Sequence, residues 1–360
     1  MNCLQYAQKS IKKASYFFTN STQKYILGLL LSTGKKNCTA MSSDLGVPYN
    51  SIYKYFDDFE YQKDNVKNFL VNMVKLYATK ENPGILVADT SQILKLYAKK
   101  IRVLCYGFNN SIKFAARGIS CVTSVWTNGK IVIPLSFDFW IRKKDLKDDE
   151  KYRKKTEISK ELILELKDKI PFAYVVLDGE YGNKDFLSFL HDNNLYYSIR
   201  MPKNRKVIIN EQELSLKDQP LLKHKRNERY KSAKGSYKGI CSNFISHKRN
   251  GKNGTKQVVF IVSNLEAFSP KEHVEAYSGR WPIEKMFRTL KQSLRLQQCQ
   301  STSTKKQRAH IFATFLAFAE LEIQKNNKKK RSPEQILKII RAQKPVKTKP
   351  QIHLWEGFIM

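Results

Sequence analysis

The segment Tyr277-Ser-Gly-Arg-Trp-Pro-Ile-Glu-Lys-Met-Phe-Arg-Thr-Leu-Lys291 is the most informative part of this 360-residue sequence. Ser278-Gly279 predicts the end of one helix, and Pro282 stands at a favoured first-turn position of the next. On this second helix, side chains three and four positions apart share a face. One face is charged and consists of Glu284, Arg288 and Lys291, whereas the other is apolar and consists of Ile283, Phe287, Leu290 and Leu294. We therefore expect a helix that packs on a core and presents a carboxylate beside two cations.

A surface helix held by salt bridges would also explain these charges. It would not explain why Tyr277 and Arg280 precede the helix at this spacing. The segment is therefore a candidate functional site.

Two more carboxylates follow apolar strands upstream of this helix. Asp89 comes after the predicted strand 85–88, and Asp178 comes after the predicted strand 173–177. Sites in open sheets form beyond the carboxyl ends of parallel strands, although either aspartate alone is as readily a turn former or a helix cap. Two metal ions about 3.5–4 Å apart need several oxygen ligands, and Mg²⁺ prefers carboxylates. Glu180 is a rival ligand that we rank below Glu284, because it lacks the surrounding cationic face.

The order of elements around these residues predicts an α/β fold. Three apolar strands form a meander, and Asn128-Gly129 makes the hairpin turn between the last two. A helix, a strand, a second helix and a fifth strand follow. The predicted segments, in that order, are 85–88, 119–126, 131–139, 157–169, 173–177, 183–193 and 196–200. This order is typical of an RNase H-like mixed sheet with flanking helices.

The regular succession of predicted strands and helices ends after residue 200. From Lys223 to Lys256 there are eleven Lys and Arg residues against the single acid Glu228, which indicates a basic, β-rich insertion. A strand resumes at 258–262, and helix is expected from Pro270 to about Gln324, with an amphipathic segment at 333–341. We expect four units: a small helical N-terminal domain, a catalytic domain in two segments, the insertion and a basic C-terminal tail. Their ranges are 1–78, 79–200 with 258–325, 201–257 and 326–360.

The N-terminal stretch Thr39–Phe56 looks like a helix-turn-helix. Leu45 would close the first helix, Gly46-Val47 would make the turn, and Asn50 or Ser51 would cap the second helix. The side chains that would then face DNA are Tyr49, Tyr53 and Lys54. A helical hairpin that packs on the core is an equally good interpretation.

Composition points to nucleic acid as the partner. The chain has 65 Lys and Arg against 32 Asp and Glu, a formal net charge of +33, which an anionic partner of comparable size would neutralise. The longest apolar run, Ile26–Leu31, is too short to cross a bilayer. Residues 1–13 do not read as a secretory signal, so we expect action inside the cell. Six cysteines without a C-x-x-C pair and six scattered histidines argue against a zinc site or a disulfide framework.

Four positions carry a resemblance to a known family. Tyr277, Arg280, Glu284 and Lys291 match the Y-(2)-R-(3)-E-(6)-K signature of a group of bacterial insertion-sequence transposases with an RNase H-like catalytic domain. The segments around Asp89 and Asp178, Val87-Ala-Asp-Thr90 and Asp178-Gly-Glu-Tyr-Gly182, resemble those around the first two catalytic aspartates of that family. The resemblance covers roughly residues 84–300.

The resemblance implies a DDE transposase that cuts element ends and joins them to target DNA. Asp89, Asp178 and Glu284 would bind two Mg²⁺ or Mn²⁺ ions. Tyr277, Arg280 and Lys291 would hold phosphates or a displaced base, and we expect Arg288 to contact DNA beside them. The implied partner is double-stranded DNA, bound by a homodimer in the bacterial cytoplasm at the nucleoid. Such transposases carry a β-rich insertion that contacts DNA.

The insertion departs from some relatives, which stack a flipped base on a tryptophan there. No tryptophan occurs between Trp140 and Trp281. Tyr230, Tyr237 or Phe244 are candidate substitutes, with packing as the simpler role.

Two alternatives stay open. An RNase H-like metal-dependent nuclease or resolvase would share the acidic residues but lack strand transfer. A non-catalytic regulator that binds DNA ends would need only the charge and the helix-turn-helix, and the intact acidic triad argues against it. A tyrosine recombinase is disfavoured, because Tyr277 lacks the histidine neighbours that such a nucleophile requires.

Overall fold

The computed structural model describes residues 18–35, 37–109, 112–147, 150–250, 254–327 and 331–342. In these ranges the helices are α1 Asn20–Leu31, α2 Cys38–Leu45, α3 Tyr49–Tyr53, α4 Tyr55–Tyr77, α5 Lys155–Lys167, α6 Lys184–Asp192, α7 Pro270–Ser278, α8 Trp281–Gln292, α9 Thr304–Asn327 and α10 Pro333–Ala342. The strands are β1 Ile85–Leu94, β2 Leu104–Asn109, β3 Phe114–Thr127, β4 Val132–Trp140, β5 Val175–Leu177, β6 Tyr197–Met201, β7 Lys206–Ile209, β8 Gln212–Ser215, β9 Tyr230–Tyr237, β10 Ile240–Asn250 and β11 Lys256–Ser263.

One mixed sheet contains all of these strands, in the order β2-β3-β1-β5-β6-β11-β10-β9-β7-β8, with β4 also paired to β3. Strand β1 pairs antiparallel with β3 and parallel with β5, and β5 pairs parallel with β6. An antiparallel meander followed by parallel strands with flanking helices is the predicted RNase H-like α/β architecture. The β-rich insertion is part of the same sheet, because β11 pairs antiparallel with both β6 and β10.

Helices cover both faces of the meander. Helix α5 packs on β1, β3 and β4, while α4 and α9 pack on β4. Helix α9 is buried and carries Phe312, Phe315 and Phe318 into the core. The N-terminal helices reach it through two buried hydrogen bonds: the Tyr25 hydroxyl pairs with His310 Nδ1 at 2.9 Å, and the Tyr55 hydroxyl donates to the Ala309 carbonyl at 2.6 Å.

The helix break at Ser278-Gly279 and the start of α8 around Pro282 are confirmed. One predicted strand was too short, and one strand was missed. Strand β1 continues to Leu94, so Asp89 lies inside the strand and pairs with Thr123. Strand β2 was not predicted, because its exposed aromatic residues and Gly107 hide the alternation that a half-buried strand normally shows. Together, β2 and the long β3 form a hairpin that extends beyond β1.

In the candidate helix-turn-helix, the first helix ends where the sequence predicts. Helix α2 ends at Leu45, and Gly46 follows in the left-handed conformation with φ 64°. The expected caps Asn50 and Ser51 were wrong, since α3 already starts at Tyr49 after Pro48. Helix α3 is a single short turn. Lys54 keeps helical angles and leads directly into α4.

Other predictions fall partly outside the described residues. The segment 1–13, Cys3 and the tail beyond residue 342 lie there, whereas Cys38, Cys105, Cys121, Cys241 and Cys299 are free thiols. Within the described ranges, no helix has the length and apolar character that a membrane span requires.

Trp126 fixes the amino ends of the two central parallel strands. Its indole Nε1 donates to the carbonyls of Pro83 and Pro171, at 2.9 and 3.0 Å. Gly84 lies against the indole ring with φ +79°, and a Cβ there would stand 2.5 Å from Trp126 Cε2. Glycine is therefore required at residue 84 for two reasons, its backbone angle and the close approach of the ring.

We expect Gly84→Ala to destabilise the protein more than Gly129→Ala. Gly129 has φ +84°, but a Cβ there meets no described atom within 4 Å. Both variants carry the cost of a left-handed alanine, about 1–2 kcal/mol, and only Gly84→Ala adds a clash of about 1–3 kcal/mol. Urea unfolding of the two variants measures the difference. Equal losses of stability would show that the Trp126 ring shifts without cost.

Candidate active site

The parallel pairing of β1 with β5 brings two aspartates side by side. Ala88 pairs with Leu177, and the next residue on each strand path is Asp89 or Asp178. Each carboxylate is oriented by the amide that follows it. Thr90 N donates to Asp89 Oδ1 at 2.8 Å, and Gly179 N donates to Asp178 Oδ1 at 2.8 Å.

Arg280 connects the first aspartate to the helix α8. Its Nη1 lies 3.0 Å from Asp89 Oδ2, and its Nη2 lies 2.6 Å from Glu284 Oε1. The Arg280 side chain is only 15% exposed. Ion pairs that are shielded from water interact more strongly than surface pairs, and removing one partner leaves uncompensated charge. One guanidinium therefore holds Asp89 and Glu284 together.

Tyr277, near the end of α7, reaches the second aspartate. Its hydroxyl donates to Asp178 Oδ1 at 3.4 Å, a long contact. Burial raises the pKa of Tyr277, and the charge of Asp178 raises it further, so the phenol keeps its proton near neutral pH. The α7–α8 junction thus contacts both central strands, through Tyr277 on one and Arg280 on the other.

The carboxylates repel one another. Burial raises the pKa of Asp89 to about 6, and the charges of Asp178 and Glu180 add to the rise, while Arg280 and the Thr90 amide oppose it. Glu180 lies beside this pair, since its Oε1 accepts a hydrogen bond from Thr90 Oγ1 at 3.3 Å. A cluster of negatively charged carboxylates favours binding of a cation.

The donor set fits a hard divalent cation in chemical type, because each candidate ligand is a carboxylate. The described residues include no group of three acidic, histidine or cysteine side chains close enough to hold a metal ion as they stand. The reason is visible in the contacts of Arg280, whose guanidinium lies between Asp89 and Glu284.

Helix α8 has the two faces that its periodicity predicts. Ile283, Phe287, Leu290 and Leu294 are buried. Arg288 is exposed and Lys291 is half-buried. Burial lowers the pKa of Lys291, and the nearby charge of Asp89 partly offsets this effect. The ammonium of Lys291 therefore lies within electrostatic range of Asp89.

The N-terminal candidates lie elsewhere in the fold. Tyr49 stacks on Tyr53 with ring centroids 5.4 Å apart, and the Lys306 ammonium lies 4.3 Å from the Tyr53 ring and hydrogen-bonds its hydroxyl. Lys54 is exposed. These residues form a surface where α3 meets α9, and no hydrogen bond or ion pair of the described residues joins them to the carboxylates.

Two of the three aromatic residues suggested to stack on a base in the insertion are too buried to do so. Phe244 is fully buried and Tyr237 nearly so, because each packs into the core beneath the extended sheet. Tyr230 is half-buried and stacks on His247, with ring centroids 5.0 Å apart.

A basic cleft beside β6 and β11 was missed by sequence reasoning. It is a cavity of about 1060 Å³ whose cationic lining consists of Arg200, Lys203, Lys217, Lys223, Lys248 and Lys256. Only part of this set belongs to the cationic run from 223 to 256. The pairing of β6 with β11 adds Arg200, and the sequence carries no signal for that pairing. Lys203 and Lys217 lie in the segments that follow β6 and β8.

The sequence was compared with known protein families and with curated proteins. Residues 152–319 match the family described as transposase DDE domain. The matched segment contains Asp178, Tyr277, Arg280 and Glu284, whereas Asp89 lies before it. The search of curated proteins found no match. The Y-R-E-K subgroup stays a prediction, and residues 152–319 of the chain carry a transposase DDE domain.

Proposed function

We propose that the chain binds the ends of a mobile DNA element, cleaves them by metal-dependent phosphodiester hydrolysis and transfers the 3′ ends to target DNA. The observation that carries this proposal is the bridge from Asp89 through Arg280 to Glu284, beside Asp178. Arg280, Glu284 and Asp178 lie within the matched transposase DDE domain. Asp89, Asp178 and Glu284 would hold two Mg²⁺ or Mn²⁺ ions.

Bound cations would lower the pKa of an attacking water, and then of the 3′-hydroxyl. The residues of the chain supply position and charge. Parallel strands hold Asp89 and Asp178 at one edge, and α8 presents Glu284 to it. Arg280 neutralises the carboxylates in the free protein and is placed to bind a phosphate oxygen. Tyr277 keeps Asp178 oriented, and Lys291 and Arg288 extend the cationic surface along α8 toward the DNA backbone.

Affinity for DNA would come from the charged surfaces around this edge. The basic cleft lies on β6 and β11, next to β5, so a duplex bound there passes close to Asp178. Tyr49, Tyr53 and Lys54 would contact DNA from α3, and we propose a homodimer in the DNA complex. Strand transfer separates this function from that of a nuclease, because only a transposase yields joined products.

Asp89→Asn, Asp178→Asn and Glu284→Gln should each reduce cleavage of DNA that carries the element's ends by orders of magnitude, because each removes an anionic ligand. Binding of the same DNA should change less than about twofold, since affinity comes mainly from phosphate contacts. Gel assays of nicked and joined products with Mg²⁺ measure the effect. Asp185→Asn is a matched control, as Asp185 pairs with Lys160 on the surface. A variant that keeps a tenth of the parent rate would remove its residue from the proposed triad.

Arg280→Met should make the protein more responsive to divalent cations. Without the guanidinium, Asp89 and Glu284 repel each other, and a cation that binds only the folded state then stabilises it. We expect Mn²⁺ to raise the melting temperature more in the variant than in the parent, by about 2–4 °C per kcal/mol of added binding energy.

Arg153→Met is the control for that measurement. Arg153 also bridges two carboxylates, those of Asp138 and Glu161, but Asp138 keeps a second partner in Arg308. Calorimetry in EDTA and in Mn²⁺ should show a larger metal response for Arg280→Met than for Arg153→Met. Equal responses would mean that Asp89 and Glu284 do not bind the cation.

The basic cleft should contribute to the salt dependence of DNA binding. A triple variant with glutamine at Lys203, Lys217 and Lys256 should reduce the slope of log affinity against log salt by about two to three, because each phosphate contact contributes about 0.9. A second triple variant, with glutamine at Lys63, Lys75 and Lys80, serves as the control. An unchanged slope in the first variant would place the DNA outside the cleft.

A further inference from the structure

We propose that the β2–β3 hairpin is an arm that contacts DNA beside the active site and stacks on unpaired bases through Tyr106 and Phe108. This inference rests on the proposed function and adds a base-contacting surface to it.

The arm extends from the edge of the sheet that carries the aspartates. Beyond Asp89, β1 continues only to Leu94, which pairs with Gly118. Past that pair β3 continues with β2, which pairs with its other edge beyond β4, as far as the pair Asn109 and Phe114. Nine residues separate Thr123, opposite Asp89, from Phe114 (123 − 114 = 9). At 3.3 Å per residue the arm reaches about 30 Å past the aspartate, which is the length of about nine base pairs.

Exposed aromatic side chains lie along this arm. Tyr106 is 56% exposed and Phe108 is 65% exposed. They are two residues apart on β2 and therefore share a face, opposite Arg117 and Ala115 of β3. Phe114, also exposed, lies on the other face of the hairpin. A grouped set of exposed aromatic rings on a folded protein marks an interaction surface.

Charge identifies the partner as nucleic acid. Residues 91–137 contain seven Lys and Arg and no Asp or Glu. Lys99, Arg117 and Arg142 surround a cavity of about 510 Å³ beside Tyr106, although Arg142 also pairs with Asp145. A second copy of this chain would bring the same positive charge against it and be repelled. Aromatic rings beside cations are the combination that binds bases and backbone of unpaired DNA.

The base of the arm is fixed to the active-site elements. Lys95, directly after β1, is buried and donates from Nζ to the carbonyls of Gln297 and Cys299, at 2.9 and 2.7 Å. These carbonyls follow α8, which carries Glu284. Between β1 and the arm, the Gln92 amide donates to the Ala116 carbonyl at 2.9 Å and accepts from Asn109 Nδ2 at 2.9 Å. The arm therefore has a defined position relative to the carboxylates.

The test compares the affinity of the full-length chain for two DNA probes. One probe is a fully paired duplex of about 30 base pairs, which is longer than the roughly nine base pairs that the arm spans. The other is the same duplex with a short gap opposite unpaired 2-aminopurine. The double variant Tyr106→Ser/Phe108→Ser should bind the gapped probe at least about fivefold more weakly, because stacking on each base is lost. Its affinity for the paired probe should change less than about twofold, and the quenching of 2-aminopurine seen with the parent should disappear.

Two further variants keep the result interpretable. Tyr61→Ser removes an aromatic side chain that is 90% exposed on α4 and should behave as the parent. Tyr106→Trp/Phe108→Trp keeps two stacking surfaces and should restore binding of the gapped probe, which a purely structural role of the arm would not predict.

Unchanged affinity of the serine variant for the gapped probe would overturn the proposal. If that variant instead lost a DNA-free dimer seen with the parent by sedimentation, the arm would be an interface between copies, and the proposal would also be wrong. A parent that binds neither probe would contradict the proposed function itself. A serine variant that binds both probes and cuts DNA as well as the parent does would contradict only the role of the arm.

Discussion

Three residue pairs between β1 and β5, from Leu86–Val175 to Ala88–Leu177, determine the geometry on which the rest of the structure depends. Parallel pairing is what puts Asp89 and Asp178 at the same edge of the sheet. The pairing is short, and it is supported at its start by the Trp126 indole, which bonds the segments that precede both strands. A slip of one residue would turn every side chain of β1 to the opposite face, and Asp89 would then point away from the α7–α8 junction.

The second constraint is electrostatic. The chain carries a net charge of +33, yet it concentrates Asp89, Asp178, Glu180 and Glu284 in one region. Burial and mutual repulsion raise the pKa of Asp89 to about 6, so its ionised form needs a positive partner. Arg280 is that partner in the free protein. The same guanidinium joins Glu284 on α8 to Asp89, so the helix break at Ser278-Gly279 has an electrostatic as well as a geometric role.

The order of strands also arranges the surfaces that would meet DNA. Counting across the sheet, the β2–β3 arm lies on one side of β1, and the basic cleft on β6 and β11 lies on the other side of β5. The aspartates are between them. A polyanion that contacts both surfaces must cross the acidic edge, where its own phosphates would be repelled unless Arg280, Lys291 or bound cations neutralise the carboxylates.

Local sequence determined the strand and helix order, the break before α8 and the charged face with Glu284 and Lys291, because hydrophobic periodicity and helix-breaking residues act over a few positions. Composition alone pointed to nucleic acid. Domain boundaries and the roles of Tyr49, Tyr53 and Lys54 stay predictions. Only the tertiary structure decided that Arg280 bridges Asp89, 191 positions away, and Glu284. It alone put Phe244 in the core, extended β1 past Asp89, added the unpredicted β2 and joined Arg200 to the basic cleft. Each of these depends on which strands pair and in what register, and that is decided by contacts between distant segments rather than by the local pattern of side chains.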